Sequence, residues 1–230
     1  DKLIAIIIAR GGSKRIPRKN IREFAGRPII AYAIDAAMES GCFSDVLVST
    51  DDEEIAEIAR KCGASVPFLR SAATADDHAT TADVLLEVLE RCRERGQEYE
   101  RLCCLYPTAP FVTGELLAAC CEKWIATGAA ALVPVVAYSH PVQRLFVIED
   151  ERLRYKWPEN RLKRTQDLEP CYHDAGQFYL IRTEVLLQEK SLVPPDTMPW
   201  LLPETQVQDI DTPEDWTLAE LKYRFLRGEA

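Results

Sequence analysis

The chain has 230 residues, 47% hydrophobic and 28% charged, with a formal charge of −9. That is the make-up of an ordinary globule, one domain in size and able to bury roughly 70–75% of its unfolded surface without covalent staples. The acidic balance argues against general nucleic-acid binding. No apolar run approaches the ~20 residues that cross a bilayer, and no secretory leader is visible, so the expected location is cytoplasmic and away from membranes.

The eight cysteines are scattered, none forms a C-x-x-C pair, and there are only three histidines, which argues against a zinc site. The adjacent pairs Cys103-Cys104 and Cys120-Cys121 read as small buried side chains in a reducing compartment.

In chain order, residues 3–9 are continuously apolar, the pattern of a central strand covered on both faces. The run ends at Gly11-Gly12, and five cations, Arg10, Lys14, Arg15, Arg18 and Lys19, fall within ten residues around and after it. Exposed amides and convergent cations after a buried strand make a phosphate-binding concavity. Neither the P-loop pattern nor the dinucleotide fingerprint is present. A helix is predicted over 28–38, with Pro28 at its first position and Gly41 as its stop. A strand follows over 46–50, then a helix opened by Asp51-Asp52-Glu53-Glu54 and running through Arg60, an acidic start that suits the helix dipole better than a metal.

Thr80-Thr81-Ala82-Asp83 opens a helix with Val84, Leu85, Val88 and Leu89 inward. A strand over 102–106, a helix over 114–127 and a strand over 129–136 complete the pattern. The alternation predicts a doubly wound, mostly parallel α/β sheet in a single domain over 1–230.

Residues 138–168 change texture. Two apolar stretches, 145–148 and 153–157, flank an acidic turn and read as a β-hairpin insertion carrying exposed apolar groups for a partner. A strand over 172–181 returns to the body. Near the end, Thr212, Pro213 and Asp215 have the spacing of a helix start. Just before it, Asp209 and Asp211 are spaced to point one way along an extended segment, and such a pair can hold a partly hydrated Mg²⁺ beside substrate phosphates. By itself the pair also fits a solvated strand end.

The stretch Ala9-Arg10-Gly11-Gly12-Ser13-Lys14-Arg15-Ile16-Pro17-Arg18-Lys19-Asn20 resembles the signature of the CMP-sialic acid synthetase family of cytidylyltransferases. The likeness extends over nearly the whole chain, and Tyr106, Gln143 and the run from His173 to Gln177 are most similar to the branch that makes CMP-pseudaminic acid. The sialic acid branch usually has glutamine at Tyr106 and lysine at Gln143.

The resemblance implies a Rossmann-like nucleotidyltransferase fold with a hairpin used for homodimerisation. It implies the reaction of CTP with a nonulosonic acid to give a CMP-sugar and pyrophosphate, with Mg²⁺ on Asp209 and Asp211. Arg10 and Lys19 then face the triphosphate as catalytic groups together with Asp211. Ala9, Gly11, Gly12, Ser13, Asn20, Arg70, Ala79 and Thr81 contact the nucleotide, Arg70 reading cytosine. Tyr106, Gln143, Arg164, His173, Asp174 and Gln177 fall on the sugar side, Arg164 for the carboxylate. Taken singly, Arg70 reads as a surface cation and His173 as a structural histidine. Two alternatives remain open from sequence: a sugar such as N-acetylneuraminic, legionaminic or 3-deoxy-manno-octulosonic acid, and a non-catalytic nucleotide-binding module.

Overall fold

The first strand, β1 (Leu3–Ile8), is the axis of the molecule, and the computed structural model describes residues 2–76 and 78–229 around it. In chain order the other elements are β2 (Glu23–Phe24), β3 (Arg27–Pro28), α1 (Ile29–Glu39), β4 (Asp45–Ser49), α2 (Glu53–Lys61), α3 (Ala72–Ala75), α4 (Thr81–Arg93), β5 (Arg101–Leu105), α5 (Gly114–Thr127) and β6 (Ala131–Ala137). There follow β7 (Phe146–Glu149), β8 (Arg152–Tyr155), β9 (Tyr172–Asp174), β10 (Phe178–Arg182), α6 (Thr183–Glu189), β11 (Thr197–Leu201) and α7 (Pro213–Leu226).

The main sheet runs β11-β6-β10-β5-β1-β4, with β9 attached to β6. β1 pairs in parallel with β4 and β5, and β6 with β11, while β10 is antiparallel to both neighbours. It is therefore the mostly parallel, doubly wound α/β sheet predicted from the alternation.

Alternate residues of β1 show why its run is continuous. Leu3, Ala5 and Ile7 pack with α1, α2 and α5 on one face, and Ile4 and Ile6 pack with α4 and α6 on the other. Each of these fully buried isoleucines contributes about 1.5–3 kcal/mol relative to exposure. The adjacent cysteines of β5 divide in the same way, Cys103 to the first face and Cys104 to the second. All eight cysteines are free.

A third cluster lies outside the sheet. Phe24, at the end of β2, packs edge-on against Tyr32 of α1 and against Trp216 and Tyr223 of α7, with ring centres 5.8, 5.6 and 5.4 Å away. Ile16 and Ile210 belong to the same cluster. α7 is thereby fastened across the start of α1, and the acidic segment before it is carried to the cationic loop.

The sequence reading needs two corrections. Pro28 precedes the first helical residue instead of occupying it, because it closes the short β2–β3 ladder. The single strand expected over 172–181 is two, broken where Gly176 takes a left-handed φ of 66° and the chain steps from the rim of β6 into the gap between β6 and β5. The segment holding Asp209 and Asp211 lies outside the sheet, with Ile210 buried between the two aspartates. α6 and β11 occupy a stretch on which the sequence reading is silent; β11 contains Pro199 and sits at the sheet edge, where a missing N–H is tolerated. The predicted hairpin is β7–β8, and Asp150 and Glu151 at its tip both adopt the positive φ that a two-residue hairpin turn demands.

Candidate active site

A cavity of about 560 Å³ opens at the carboxyl end of β1 and β5, where open α/β sheets bind ligands. Its walls include Arg10, Ser13, Lys19, Asn20 and Arg70 together with Asp209 and Asp211, and Tyr106 and Thr108 from the end of β5. The amino-terminal loop and the late acidic pair, some two hundred residues apart in sequence, thus share one concavity.

Lys19 opens a 3₁₀ turn, Lys19–Ile21, and its Nζ donates to the backbone oxygen of Ile210 at 2.9 Å while lying 3.9 Å from Asp211 Oδ1. Burial lowers its pKa, partly countered by Asp211 and Asp209. Asp211 also meets Arg15 at 3.3 Å. Asp209 faces the solvent of the cavity, yet desolvation, reinforced by the charge of Asp211, raises its carboxyl pKa. A carboxylate whose ionisation is disfavoured beside a second one is part of a donor set that a hard dication relieves.

Ile210, pinned in the third cluster, orients both neighbours outward. The start of α7 is fixed by reciprocal capping between Thr212 and Asp215, and the Asp215 carboxylate also accepts the Asp211 amide at 2.9 Å.

Asn20 is buried and donates its amide to the backbone oxygen of Arg10 at 2.8 Å, tying the ends of the loop. Arg70 is buried, with its guanidinium on the Ser49 carbonyl at 2.9 Å, and burial lowers its pKa. Ala9 is a fully buried continuation of β1, its amide on Ser49 O. Gly11 does not line the cavity: its amide donates to Asp51 Oδ1 at 3.0 Å, and a Cβ there would lie 2.8 Å from Asp52 Oδ2. A Cβ on Gly12 would meet nothing. Ala79 and Thr81, half-buried at the entry to α4, also stand outside the cavity wall.

The expected sugar-side residues divide. Tyr106 lines the cavity, edge-on to Tyr179 at 5.7 Å, and burial raises its pKa. Asp174 lies behind it, accepting from the Tyr179 hydroxyl at 2.5 Å and the Gly176 amide at 2.7 Å. Gln177 is buried and donates to the Gln206 carbonyl at 2.9 Å, so it braces the acidic segment from beneath. His173 is exposed, beside Tyr138. Gln143 and Arg164 lie away from the cavity: the first donates to Glu169 O in a separate small hollow, the second pairs with Asp167 on the surface.

Sequence reasoning passed over Tyr179, which looks like any strand aromatic. It also passed over the role of the acidic start of α2 beyond capping. Asp52 does cap α2, accepting from Ile55 N–H at 3.0 Å, but the same carboxylate takes both arms of Arg18, at 2.7 and 2.9 Å. No local pattern marks that pairing, because its partners are 34 residues apart.

A family model described as Cytidylyltransferase matches residues 4–190. The chain belongs to the cytidylyltransferase family. Within that family it is 41% identical over 97% of both chains to a pseudaminic acid cytidylyltransferase of Campylobacter jejuni. It is 35% identical over 95% of both chains to a CMP-N,N'-diacetyllegionaminic acid synthase of Legionella pneumophila. A solved CMP:2-keto-3-deoxy-manno-octonic acid synthetase, complexed with CTP, superposes with a TM-score of 0.71 over 99% of this cytidylyltransferase and 100% of that chain, at 17% identity. At that identity the likeness speaks for the fold, which is that of a nucleotidyltransferase.

Proposed function

We propose that this cytidylyltransferase activates pseudaminic acid: the anomeric hydroxyl of the sugar attacks the α-phosphate of CTP, pyrophosphate leaves, and CMP-pseudaminic acid is formed. The observation that carries the reading is the cavity itself, which Arg10, Lys19 and Arg70 line together with Asp209 and Asp211. Polyanion and counter-ion both find complementary charge there. The 41%-identical relative supports the choice of sugar, and Tyr106 on the cavity wall is, with Gln143, one of the two residues by which this chain departs from the sialic acid pattern.

The chain's own contribution is alignment and charge. Arg10 and Lys19 would hold the triphosphate, Lys19 oriented by the Ile210 carbonyl, and Ser13 adds a hydroxyl. Arg70, steadied by Ser49, would meet the base. Asp209 and Asp211 would hold Mg²⁺; two carboxylates suit an ion that keeps several waters and takes its remaining ligands from substrate phosphates. When bound, the ion supplies compensation of phosphate charge.

Gln143 and Arg164 would act on the sugar only from a second protomer, since in their own chain they are turned to the insertion. We assign the apolar groups of that insertion, among them Ile148 (76% exposed) and Leu162 (85% exposed), to a homodimer contact.

The test is pyrophosphate release from CTP and Mg²⁺ across a panel of pseudaminic, legionaminic, N-acetylneuraminic and 3-deoxy-manno-octulosonic acids. Turnover is expected with pseudaminic acid first. Preference for legionaminic acid would move the substrate assignment to the second relative. CTP binding without turnover on any member would leave a nucleotide-binding module.

A further inference from the structure

The acidic end of β4 has a geometry that helix capping does not explain. Asp51 and Asp52 both turn toward the cationic loop. Asp51 takes the Gly11 amide, and Asp52 takes the whole Arg18 fork, whose second arm also reaches Glu54 at 2.5 Å. Arg18 itself is in the left-handed region, φ 55° and ψ 34°. A non-glycine residue there needs surroundings that over-determine it. The fork supplies them, because a bidentate guanidinium–carboxylate pair fixes orientation as well as distance.

The residue held this way immediately precedes Lys19 and Asn20. The Arg18 carbonyl accepts the Ile21 amide, closing the 3₁₀ turn that aims Lys19 at Ile210 and the cavity. At the other end of the loop, Gly11 lies so close to Asp52 that only a missing side chain admits the contact. Of the five cations in the loop, Arg18 is therefore directed away from substrate, toward the body of the protein.

We propose that Asp52, with Asp51 and Arg18, clamps residues 10–20 in the geometry that presents Lys19 and Arg10 to the triphosphate, so that Asp52 and Arg18 are positioning residues for nucleotidyl transfer. This rests on the transfer reading above for its kinetic consequence, but not for its structural one.

Asp52→Asn separates the clamp from the cap, since asparagine caps a helix as well as aspartate does yet offers the guanidinium only one oxygen and no charge. Arg18→Lys keeps the charge and loses the fork. Amide hydrogen exchange of the folded protein is the readout that needs no turnover. Both variants are expected to lose protection over residues 10–21 while α2 keeps its own, and Glu53→Gln, which removes a surface charge from the same helix, should match wild type.

In pyrophosphate-release kinetics, both clamp variants should lose about 10- to 100-fold in kcat/KM for CTP. The double variant should lose little more than either single one. Unchanged loop protection in Asp52→Asn and Arg18→Lys overturns the clamp, as does full additivity of the two kinetic losses. A wild type without turnover, with the exchange contrast present, counts against the transfer reading and leaves the clamp standing.

Discussion

The cavity end of the sheet and the insertion over 138–168 are built by opposite rules. At the cavity end nearly every named polar group is tied to another across long stretches of chain: Arg18 to Asp52, Gly11 to Asp51, Lys19 to Ile210, Gln177 to Gln206. In the insertion the side-chain contacts stay within it and its flanks and are mostly exposed, as with Arg144 and Thr165 or Arg164 and Asp167, and the apolar side chains of β7 and β8 face solvent. A site for a polyanion must be preorganised before substrate arrives, because fixed donors cost no reorganisation in the reaction. A surface meant for another protein can leave its apolar groups uncovered until the partner comes. Rigidity is therefore concentrated where charge has to be aligned.

That contrast can be broken most sharply at the third cluster. Trp216→Ala should cost about 3–5 kcal/mol, read from urea unfolding, since Trp216 is buried against Phe24 and its loss unfastens α7. Because the acidic pair lies immediately before the same helix, activity should fall more steeply than the folded fraction does.

Next in size, Asp211→Asn should lower the rate of pyrophosphate release at least about 100-fold, with little change in unfolding midpoint. An equal loss from Arg164→Ala assayed at a concentration where the protein is monomeric would contradict the division drawn above.

A smaller effect is the acid dependence of the clamp. Hydrogen bonding from Arg18 lowers the Asp52 carboxyl from 3.8 to about 2. A depressed folded-state pKa means the stabilisation is complete above the unfolded value and fades as pH falls toward the folded one. The stability gap between wild type and Asp52→Asn should thus be constant above about pH 5 and close between pH 4 and 2, followed by circular dichroism melts.

Smallest in stability, Ile148→Asp should shift the unfolding free energy by no more than about 0.5 kcal/mol, because the side chain is already in water. The same change is expected to turn a dimer into monomers in sedimentation velocity. A monomeric wild type would remove the partner from the reading of the insertion.

Much of this was legible before folding. The unbroken apolar run of β1, the glycine pair followed by cations, and the Thr212–Asp215 helix start with two aspartates ahead of it are local patterns, and each is where its chemistry predicts. Other features were hidden for a physical reason. β11 carries a proline that demotes any strand reading, and only its place on the sheet edge makes it one. Gln177 reads as a ligand from its polar surroundings, and only packing turns it toward Gln206.

The sequence by itself determined the periodicities, the caps and the charged segments, because these depend on neighbours within a turn or a strand. Tertiary structure alone decided that Ile16 and Ile210 share a cluster, which brings a cationic loop and an acidic segment to face one cavity, and that Arg18 turns inward to Asp52 while Lys19 turns toward the pocket. Burial and long-range pairing choose among directions that local chemistry leaves equal.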